Sequence, residues 1–418
     1  MTALDPMAGT TTCLNFPGRA VFYRSMNFNF PESILRRSLS FILLSACIGM
    51  GLVEPASGRE YLVYYGTYTG AKSKGIYVSR FDADTGKLAA AQLAAEIPSP
   101  SFLAVHPGNR FLYAVNEVSK YDGKAAGSVS AFSIDATSGK LALLNTQSSG
   151  GPGPCHLVVD KAGRHVLVAN YGGGSVGVLP ITKSGSLEAA SAFVQHAGSS
   201  VNKSRQEAPH AHGIYLDGRN RFVFVPDLGL DQVLIYRFDT RKGTLTPNVP
   251  PFGALPDGSG PRHFALHPGG EFAYVINEMV CTVTAFRCDS KTGALTPAET
   301  LSTLPPGETV KGGYSTAELF IHPSGRFLYG SNRGHDTIVV YSIDKKSGKL
   351  SYVENVPTKG KVPRSFGIDP SGRWLLAANQ SSDTVVVFQI DSATGRLSAT
   401  GQSVEVGAPV SVSFVPVK

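Results

Sequence analysis

The stretch DADTGKL at residues 82–88 recurs along the chain, each time with glycine two positions before a leucine. Seven copies are found, at residues 82–88, 135–141, 182–187, 239–245, 289–295, 344–350 and 391–397. Their glycines are 46 to 58 residues apart. A glycine fixed in a short turn is typical of a β-hairpin in which it takes positive φ. The spacing therefore predicts seven repeats of one β unit.

A second pattern, HPGNRFLYAVNE in its first copy, alternates with these hairpins. Its six copies begin at residues 106, 160, 216, 267, 322 and 369. Each combines a turn with an apolar run that is continuous rather than alternating, which indicates a strand buried on both faces. One repeat is then an inner strand, this turn, a second strand, a loop, a third strand, the DxxTGxL hairpin and an outer strand.

Counting strands at the two ends of the body defines the architecture. Residues 60–69 match a second strand, and residues 409–417 match the inner strand that the first repeat lacks. The sequence therefore predicts an all-β fold over residues 60–418. We expect a seven-bladed β-propeller with four antiparallel strands per blade, whose ring is closed by the C-terminal strand completing the first blade.

Residues 1–59 are predicted to be a leader outside this domain. An uncharged apolar stretch, residues 38–53, follows Arg36 and Arg37 and resembles a signal peptide, so we expect export to the periplasm or secretion. The residues ending at Cys47 resemble a lipoprotein cleavage box, so a lipid anchor at Cys47 is the one link to a membrane that the sequence suggests. Translation from Met26 and a cytoplasmic protein with a non-structural leader are the alternatives.

Charge and cysteine usage narrow the classes of partner. The formal net charge is +7, but no run of five or six like charges occurs and no basic stripe is interleaved with aromatic residues, so nucleic acid is not expected as a partner. Of five cysteines only Cys155, Cys281 and Cys288 lie in the body. An odd number argues against a disulfide framework, and Cys281 and Cys288 are predicted to share a strand, too far apart to bridge. The oligomeric state is left open.

The topology predicts where chemistry is located. In an up-and-down blade the inner strand begins, and the second strand ends, on one face of the ring, here called the site face, while both repeated turns lie on the opposite turn face. Ionisable and polar side chains from different blades should therefore converge at one channel mouth. The site-face candidates are Glu117, His156, Asn170, Tyr171, His210, His212, Asp227, Arg262, Asn277, Glu278, Glu318, Asn332, Arg333, His335 and Arg364. Two long connections, residues 188–211 and 301–317, should form walls or lids there.

Other motifs are assigned to structure or excluded. The histidines that open three of the turns, His106, His267 and His322, should stabilise those turns. The pair His210 and His212 lacks a third ligand at metal-binding spacing, so no metal site is predicted. Neither a phosphate-binding glycine loop nor a Gly-x-Ser-x-Gly elbow is found, so we expect no cofactor and no serine hydrolase.

These residues carry a family resemblance over residues 60–418. The segments PCHLVVD, VANYGGGSV, PHAHG, GPRH, VINE and AELFIHPSGRFLYGSNRGHDTI are similar to those of the seven-bladed lactonase family, which includes bacterial 6-phosphogluconolactonase and the fungal carboxy-muconate cyclising enzyme. The resemblance implies a histidine, two arginines and a glutamate as catalytic groups. They correspond to His212, Arg262, Arg333 and Glu278, with His210 and His156 competing for the histidine role.

The implied chemistry is hydrolysis of a sugar lactone, most favourably 6-phosphoglucono-1,5-lactone, without a metal. His212 would act as base near its ordinary pKa of about 6.5, and the guanidiniums would bind the oxyanion and the anionic group of the substrate. His156, Tyr171, His210, Glu318, His335 and Arg364 are predicted to contact the substrate. A lactone-forming cycloisomerase acting on muconate-like carboxylates and a non-catalytic binding propeller are the alternatives.

Overall fold

Seven antiparallel sheets, arranged as blades around one axis, account for the strands of the computed structural model, which describes residues 59–417. The predictions for the leader, Cys47 included, lie outside the described residues. Blade 1 contains β1 (Glu60–Thr67), β2 (Gly75–Asp82), β3 (Lys87–Leu88) and β4 (Gln92–Glu96), and is completed by β29 (Pro409–Pro416). Blade 2 contains β5 (Leu103–Val105), β6 (Phe111–Asn116), β7 (Ser128–Ile134) and β8 (Leu141–Ser148).

The other five blades follow in chain order. Blade 3 contains β9 (Pro154–Val159), β10 (His165–Asn170), β11 (Ser175–Pro180) and β12 (Ala192–Gln195). Blade 4 contains β13 (Tyr215–Leu216), β14 (Phe222–Asp227), β15 (Gln232–Asp239) and β16 (Thr244–Ala254). Blade 5 contains β17 (Pro261–Leu266), β18 (Phe272–Asn277), β19 (Thr282–Cys288) and β20 (Leu295–Ser302).

Blade 6 contains β21 (Ser315–Ile321), β22 (Phe327–Arg333), β23 (Thr337–Ile343) and β24 (Leu350–Pro357). Blade 7 contains β25 (Pro363–Ile368), β26 (Trp374–Asn379), β27 (Thr384–Ile390) and β28 (Leu397–Glu405). Residues 59–417 contain no helix long and apolar enough to cross a membrane.

Ring closure is achieved by the C-terminal strand. β29 pairs with β1 in an antiparallel register that places Tyr61 opposite Pro416 and Tyr65 opposite Val412. The inner strand of blade 1 thus comes from the opposite end of the domain, and the predicted seven-bladed architecture and its closure are confirmed.

Second strands form the buried layer of each blade, as their continuous apolar runs predict. Every residue of β6, β10, β14, β18 and β26 is buried. Each of these strands is flanked by two neighbours in its own blade and packed against the adjacent blades. Their side chains build separate apolar clusters between successive blades, such as the one joining Phe272, Tyr274 and Leu328.

The repeated hairpins are also contacts between blades. Gly395 takes φ 75°, which L side chains rarely adopt, and its carbonyl accepts a hydrogen bond of 2.8 Å from the hydroxyl of the buried Tyr329 in the preceding blade. Tyr64, Tyr113 and Tyr274 bond the hairpin glycines of their following blades in the same way. At the seam between blades 7 and 1, Trp374 Nε1 donates to the Ala83 carbonyl at 2.9 Å.

The turn histidines have the structural role predicted for them. His267 Nδ1 accepts from Gly269 N at 3.0 Å within its own turn, and His267 Nε2 lies 3.0 Å from the Gly325 carbonyl of the next blade. Since the carbonyl can only accept, Nε2 carries the proton. His106 and His322 make equivalent pairs of bonds.

Two local predictions require correction. Cys281 does not share a strand with Cys288: it lies in the turn before β19 at φ 50°, the backbone conformation that Asp231 and Asp336 adopt in other blades. Both cysteines and Cys155 are buried free thiols. The connection predicted over residues 188–211 is not one continuous loop. Four of its residues form the outer strand β12, which pairs with β11, so the loop itself spans residues 196–211.

Candidate active site

The candidate active site is built around one carboxylate shared by three arginines. Glu278 Oε2 lies 3.0 Å from both Arg262 Nε and Arg333 Nη2, and Glu278 Oε1 accepts from Arg205 Nη2 at 2.7 Å. His212 Nε2 lies 3.8 Å from the same Oε2, which is beyond a hydrogen bond. The four residues singled out from the sequence as catalytic, His212, Arg262, Glu278 and Arg333, are therefore brought together.

Topology explains this convergence. Arg262 stands at the start of inner strand β17 and Arg333 at the end of second strand β22, while Glu278 follows second strand β18. All three positions lie on the site face. The register of blade 5 places Pro261 opposite Asn277, so Arg262 and Glu278 follow two residues that are paired directly.

Charge balance makes Glu278 a permanent anion. Burial alone would raise the pKa of this carboxyl, but the guanidiniums of Arg333, Arg262 and Arg205 outweigh it and lower the pKa of Glu278 to about 2. Burial lowers the pKa of Arg333 to about 10, which still leaves it charged at neutral pH. Three cations around one anion leave an excess of positive charge that suits an anionic ligand.

The imidazole of His212 is held in its neutral form. Burial, followed by the positive charge of Arg262, lowers the pKa of His212 well below its usual range. Its Nδ1 lies 3.6 Å from the Cys155 sulfur, and its ring meets the Tyr171 ring edge-on with centroids 5.0 Å apart. Burial raises the pKa of the Cys155 thiol, so this sulfur stays protonated beside the imidazole.

Arg205 was missed by the sequence analysis. It lies in the loop of residues 196–211, and besides its bond to Glu278 it reaches the Tyr171 hydroxyl at 3.3 Å. The wall or lid predicted for this connection thus supplies a charged group to the site. The available signal was a lone arginine in a connection that enters the site face, which does not by itself indicate a contact with Glu278.

The loop is fixed by a buried histidine and aspartate. His196 Nδ1 lies 2.6 Å from Asp227 Oδ2, and Asp227 Oδ1 accepts from the backbone N–H groups of His210 and Gly229 at 2.7 and 3.0 Å. Gly229 is required here because a Cβ at this position would lie 1.9 Å from the Ala208 carbonyl oxygen. The end of β14 therefore holds both ends of the loop.

A second group of polar residues faces the first across a small cavity. Tyr68 and Ser101 donate to the carboxylate of Glu117, and Arg364 donates to the Tyr68 hydroxyl at 2.8 Å. The cavity holds about 10 Å³ and is lined by Tyr68, Ser101, Glu117, Arg262, His263 and Arg364, among others. Arg364, predicted as a substrate contact, belongs to this half of the site. Tyr68, Ser101 and Glu117 were not assigned roles from the sequence.

Two predicted substrate contacts lie deeper along the axis. Glu318 Oε1 is 2.5 Å from His263 Nδ1, and Ser365 donates to Glu318 Oε2 at 3.0 Å. His156 accepts from Ile214 N at 3.2 Å. Burial raises the pKa of Glu318 to about 7 and lowers that of His156 well below its usual range. These groups form the floor between the arginines and the channel.

A cavity of about 690 Å³ forms this channel, and it is separate from the arginine site. It is open toward the turn face, where His322 and Pro323 line it, and it ends at His156 and Glu318. Its wall is largely apolar, with Phe320 and Phe414 among its residues. We locate the chemistry at the site-face mouth beside the small cavity, because the charged groups converge there; the cavity itself has room for about one water molecule.

The remaining predicted contacts lie at the edge of the site. His210 stacks on Tyr171 with ring centroids 4.6 Å apart and contacts the Tyr171 carbonyl through Nδ1 at 3.0 Å, so both line the approach to His212. His335 is bonded to Thr337 and lies 3.2 Å from Glu308, away from the Glu278 cluster. Among residues 59–417, no three His, Cys, Asp or Glu side chains are grouped as metal ligands.

Comparison with known proteins identifies relatives over most of the propeller. The family model described as lactonase, 7-bladed beta-propeller matches residues 62–414. The chain is 36% identical over 310 residues to a 6-phosphogluconolactonase of Bacillus subtilis, covering 74% of this chain and 85% of that protein. A 6-phosphogluconolactonase of Formosa agariphila is 34% identical over 315 residues, covering 73% and 86%.

Solved structures show the same relationship. A periplasmic gluconolactonase of Pseudomonas aeruginosa superposes with a TM-score of 0.80 at 35% identity, covering 86% of this chain and all of that one. A propeller of seven blades, four arginines and a buried imidazole at the site face, and a family match over nearly the whole ring support one conclusion. The chain belongs to the seven-bladed β-propeller lactonase family.

Proposed function

We propose that this protein hydrolyses the ring ester of a 1,5-sugar lactone, with 6-phospho-D-glucono-1,5-lactone as the leading substrate and unphosphorylated gluconolactone as the second. The observation that carries the proposal is the neutral His212 imidazole beside a carboxylate shared by three guanidiniums. Relatives named 6-phosphogluconolactonase and gluconolactonase support the choice of substrate class.

In this proposal His212 acts as the base. It takes a proton from water, whose oxygen forms a bond to the lactone carbonyl carbon, and the carbonyl π electrons move to the oxygen. When the tetrahedral intermediate collapses, the bond from carbon to the ring oxygen breaks, and that oxygen takes the proton from the imidazolium. The product is a hydroxy acid, which ionises at neutral pH and releases one proton to solvent.

Arg262 and Arg333 bind the developing oxyanion in this scheme. Arg262 Nη1 is committed to the Ala317 carbonyl at 2.7 Å and Arg333 Nη2 to the Thr316 carbonyl at 2.7 Å, which fixes both guanidiniums. Arg333 Nε is buried without a hydrogen-bond partner among the described residues, so a donor remains for substrate. Fixed donors aimed at developing charge are worth about 10²- to 10³-fold in kcat each.

The test is turnover of D-glucono-1,5-lactone and its 6-phosphate by the purified full-length protein, with spontaneous hydrolysis subtracted. We expect catalysed ring opening that an Arg262→Ala, Arg333→Ala double variant loses. Rates equal to those of the double variant would overturn the proposal, and turnover of a muconate-like acid instead would favour the lactone-forming alternative. Turnover abolished by a chelator would contradict the metal-free scheme.

We also propose that residues 1–59 direct export. The uncharged stretch 38–53 supports this, as does the similarity to a periplasmic gluconolactonase. Fractionation followed by mass spectrometry of the mature amino terminus tests it. A cleaved chain outside the cytoplasm is expected, and a diacylglyceryl mass on Cys47 would identify a lipid anchor. A cytoplasmic chain that retains residues 38–53 would refute export.

A further inference from the structure

The half of the site opposite Glu278 is formed by blades 7, 1 and 2. Arg364 begins inner strand β25, Tyr68 follows second strand β1, and Glu117 follows second strand β6. Ser101 precedes inner strand β5. The four positions obey the same topological rule as Arg262, Glu278 and Arg333, so they belong to the site face, yet the lactonase mechanism above uses none of them.

Hydrogen bonds give this half a fixed polarity. Arg364 donates to the Tyr68 oxygen at 2.8 Å, and the Tyr68 hydroxyl in turn donates to Glu117, 3.0 Å from Oε1 and 2.9 Å from Oε2. Ser101 donates to Oε2 at 2.5 Å. The Tyr68 hydroxyl therefore accepts from Arg364 and donates to Glu117, and the Glu117 carboxylate is the acceptor at the end of this chain of hydrogen bonds.

Glu117 retains accepting capacity toward the cavity. An ionised carboxylate has about four lone-pair directions, and Oε1 receives only a share of the Tyr68 bond here. No arginine or lysine of residues 59–417 lies within ion-pair distance of Glu117, whereas Glu278 is surrounded by three. Glu117 is thus an acceptor that a ligand with hydroxyl donors would complete, and Glu278 is saturated by cations.

Arg364 differs from the other three arginines in the same respect. Arg205, Arg262 and Arg333 all bind Glu278, but Arg364 contacts a neutral phenol, above whose ring its guanidinium carbon lies 5.3 Å from the centroid. Arg364 and Glu117 both line the small cavity, so a guanidinium and a carboxylate stand beside the same space. Donors and an acceptor side by side match a vicinal diol, in which each hydroxyl can both donate and accept.

We propose that Glu117, positioned by Tyr68 and Ser101 and flanked by Arg364, is a specificity subsite that binds the ring hydroxyls of a polyhydroxylated lactone. The inference rests on the proposed function and deepens it, because it assigns the site a preference for sugar lactones over lactones without hydroxyls. A site built to bond hydroxyls leaves its buried polar groups unpaired when an analogue lacks them, which is the physical source of discrimination.

The experiment compares D-glucono-1,5-lactone with δ-valerolactone, the six-membered lactone without hydroxyls, in the full-length protein. The Glu117→Gln variant keeps the shape of the side chain and removes its charge. We expect kcat/KM for gluconolactone to fall about 10- to 100-fold, the range for losing a hydrogen bond to a charged group, while kcat/KM for δ-valerolactone stays within about 2-fold. Tyr68→Phe removes the hydroxyl that donates to this carboxylate, and it should also lower kcat/KM for gluconolactone.

The control is Glu299→Gln, which alters a carboxylate on the outer strand of blade 5 that binds Leu350 N at 2.6 Å. This variant should leave kcat/KM unchanged for both lactones. Equal losses for both lactones in Glu117→Gln would overturn the subsite, because they would indicate a structural role.

A binding measurement separates this inference from the proposed function. Calorimetric titration with D-gluconate and with 5-hydroxyvalerate needs no turnover, so it reports on the subsite even if the protein hydrolyses neither lactone. Glu117→Gln should weaken binding of gluconate about 10-fold or more and leave 5-hydroxyvalerate unaffected. Equal affinity of wild-type protein for the two acids would refute hydroxyl recognition.

Discussion

Arg205 and Glu278 are bonded at 2.7 Å although one lies in the loop of residues 196–211 and the other follows a strand of blade 5. Arg205 is the only one of the three arginines around Glu278 that a strand does not hold. Its side chain is 43% exposed, whereas that of Arg262 is 3% exposed. Arg262 and Arg333, both held by strands, therefore keep Glu278 in place without the contribution of the loop.

Replacing Arg205 with alanine should weaken substrate binding more than chemistry. The variant loses one positive charge at the entrance, and Arg262 and Arg333 still hold Glu278. We expect KM for gluconolactone 6-phosphate to rise about 10-fold, as for loss of one charge-assisted hydrogen bond, with a smaller change in kcat. Steady-state kinetics measure both. Lys203→Ala, which removes a charge from the same loop without touching Glu278, is the matched control, and an equal rise in KM there would contradict a specific role.

Gly229→Ala should displace the loop without unfolding the propeller. The new Cβ would meet the Ala208 carbonyl oxygen at 1.9 Å, and backbone on both sides must move. Because Ala208 lies between Arg205 and His210, we expect kcat/KM to fall at least 10-fold, with a loss of stability of about 1–3 kcal/mol. Thermal unfolding and kinetics distinguish the two effects. Gly218→Ala is the control, since only the Lys161 side chain lies near that position. Unchanged activity in Gly229→Ala would show that the loop does not take part.

The pH dependence follows from the His212 environment. The imidazole must be neutral to accept a proton, and its pKa is well below the ordinary 6.5 because of burial and, second, Arg262. We expect kcat/KM to stay flat as pH falls from 8 through 6.5 and to decline only below it. A decline with its midpoint at 6.5 or above would argue against His212 as the base.

The same shift affects stability with a definite sign. Folded His212 binds a proton less readily than the unfolded residue, so its contribution to stability is complete above about 6.5 and is lost as pH falls toward the lowered pKa. His156 and His263 are shifted in the same direction. Glu318, whose pKa burial raises to about 7, acts in the opposite direction over the same range. Because three histidines outweigh one carboxyl, denaturant unfolding at pH 7.5 and 5.5 should show a less stable protein at the lower pH.

Tyr329→Phe tests the bonds between blades. The hydroxyl of Tyr329 is buried and donates to Gly395 O at 2.8 Å, so its removal leaves that buried carbonyl without this donor. We expect a loss of about 1–3 kcal/mol in the free energy of unfolding, measured with denaturant. Tyr352→Phe, whose side chain is exposed on an outer strand, should change it by less than about 0.5 kcal/mol. Equal effects would mean that the bond contributes nothing specific.

Most of the fold was predictable because each blade repeats the same local chemistry. The hairpin glycines mark the turns, and the apolar runs identify the strands buried on both faces. Cys281 shows the limit of this reasoning: its neighbours in sequence look like a strand, but the repeat places a turn with positive φ at that point. Only comparison of equivalent positions across blades, where aspartate is found, would have revealed it.

The site was predictable to the extent that topology determines it. Arg262, Glu278 and Arg333 could be grouped because strand ends define the site face. Arg205 could not, since a loop position depends on tertiary contacts such as the pair of His196 and Asp227. Glu117 was located on the site face but not given a role, because its importance depends on which neighbours donate to it.

Pairing of β29 with β1 places the two ends of the described chain beside each other, with Tyr61 opposite Pro416. The start of the polypeptide is therefore arbitrary with respect to the ring. A circular permutant that joins residue 417 to residue 59 and opens the chain between residues 303 and 314 would build blade 1 from adjacent segments. The pairing of β29 with β1, which now joins the two ends of the described chain, would become a local hairpin. Because this lowers the contact order, we expect the permutant to fold faster than the natural chain.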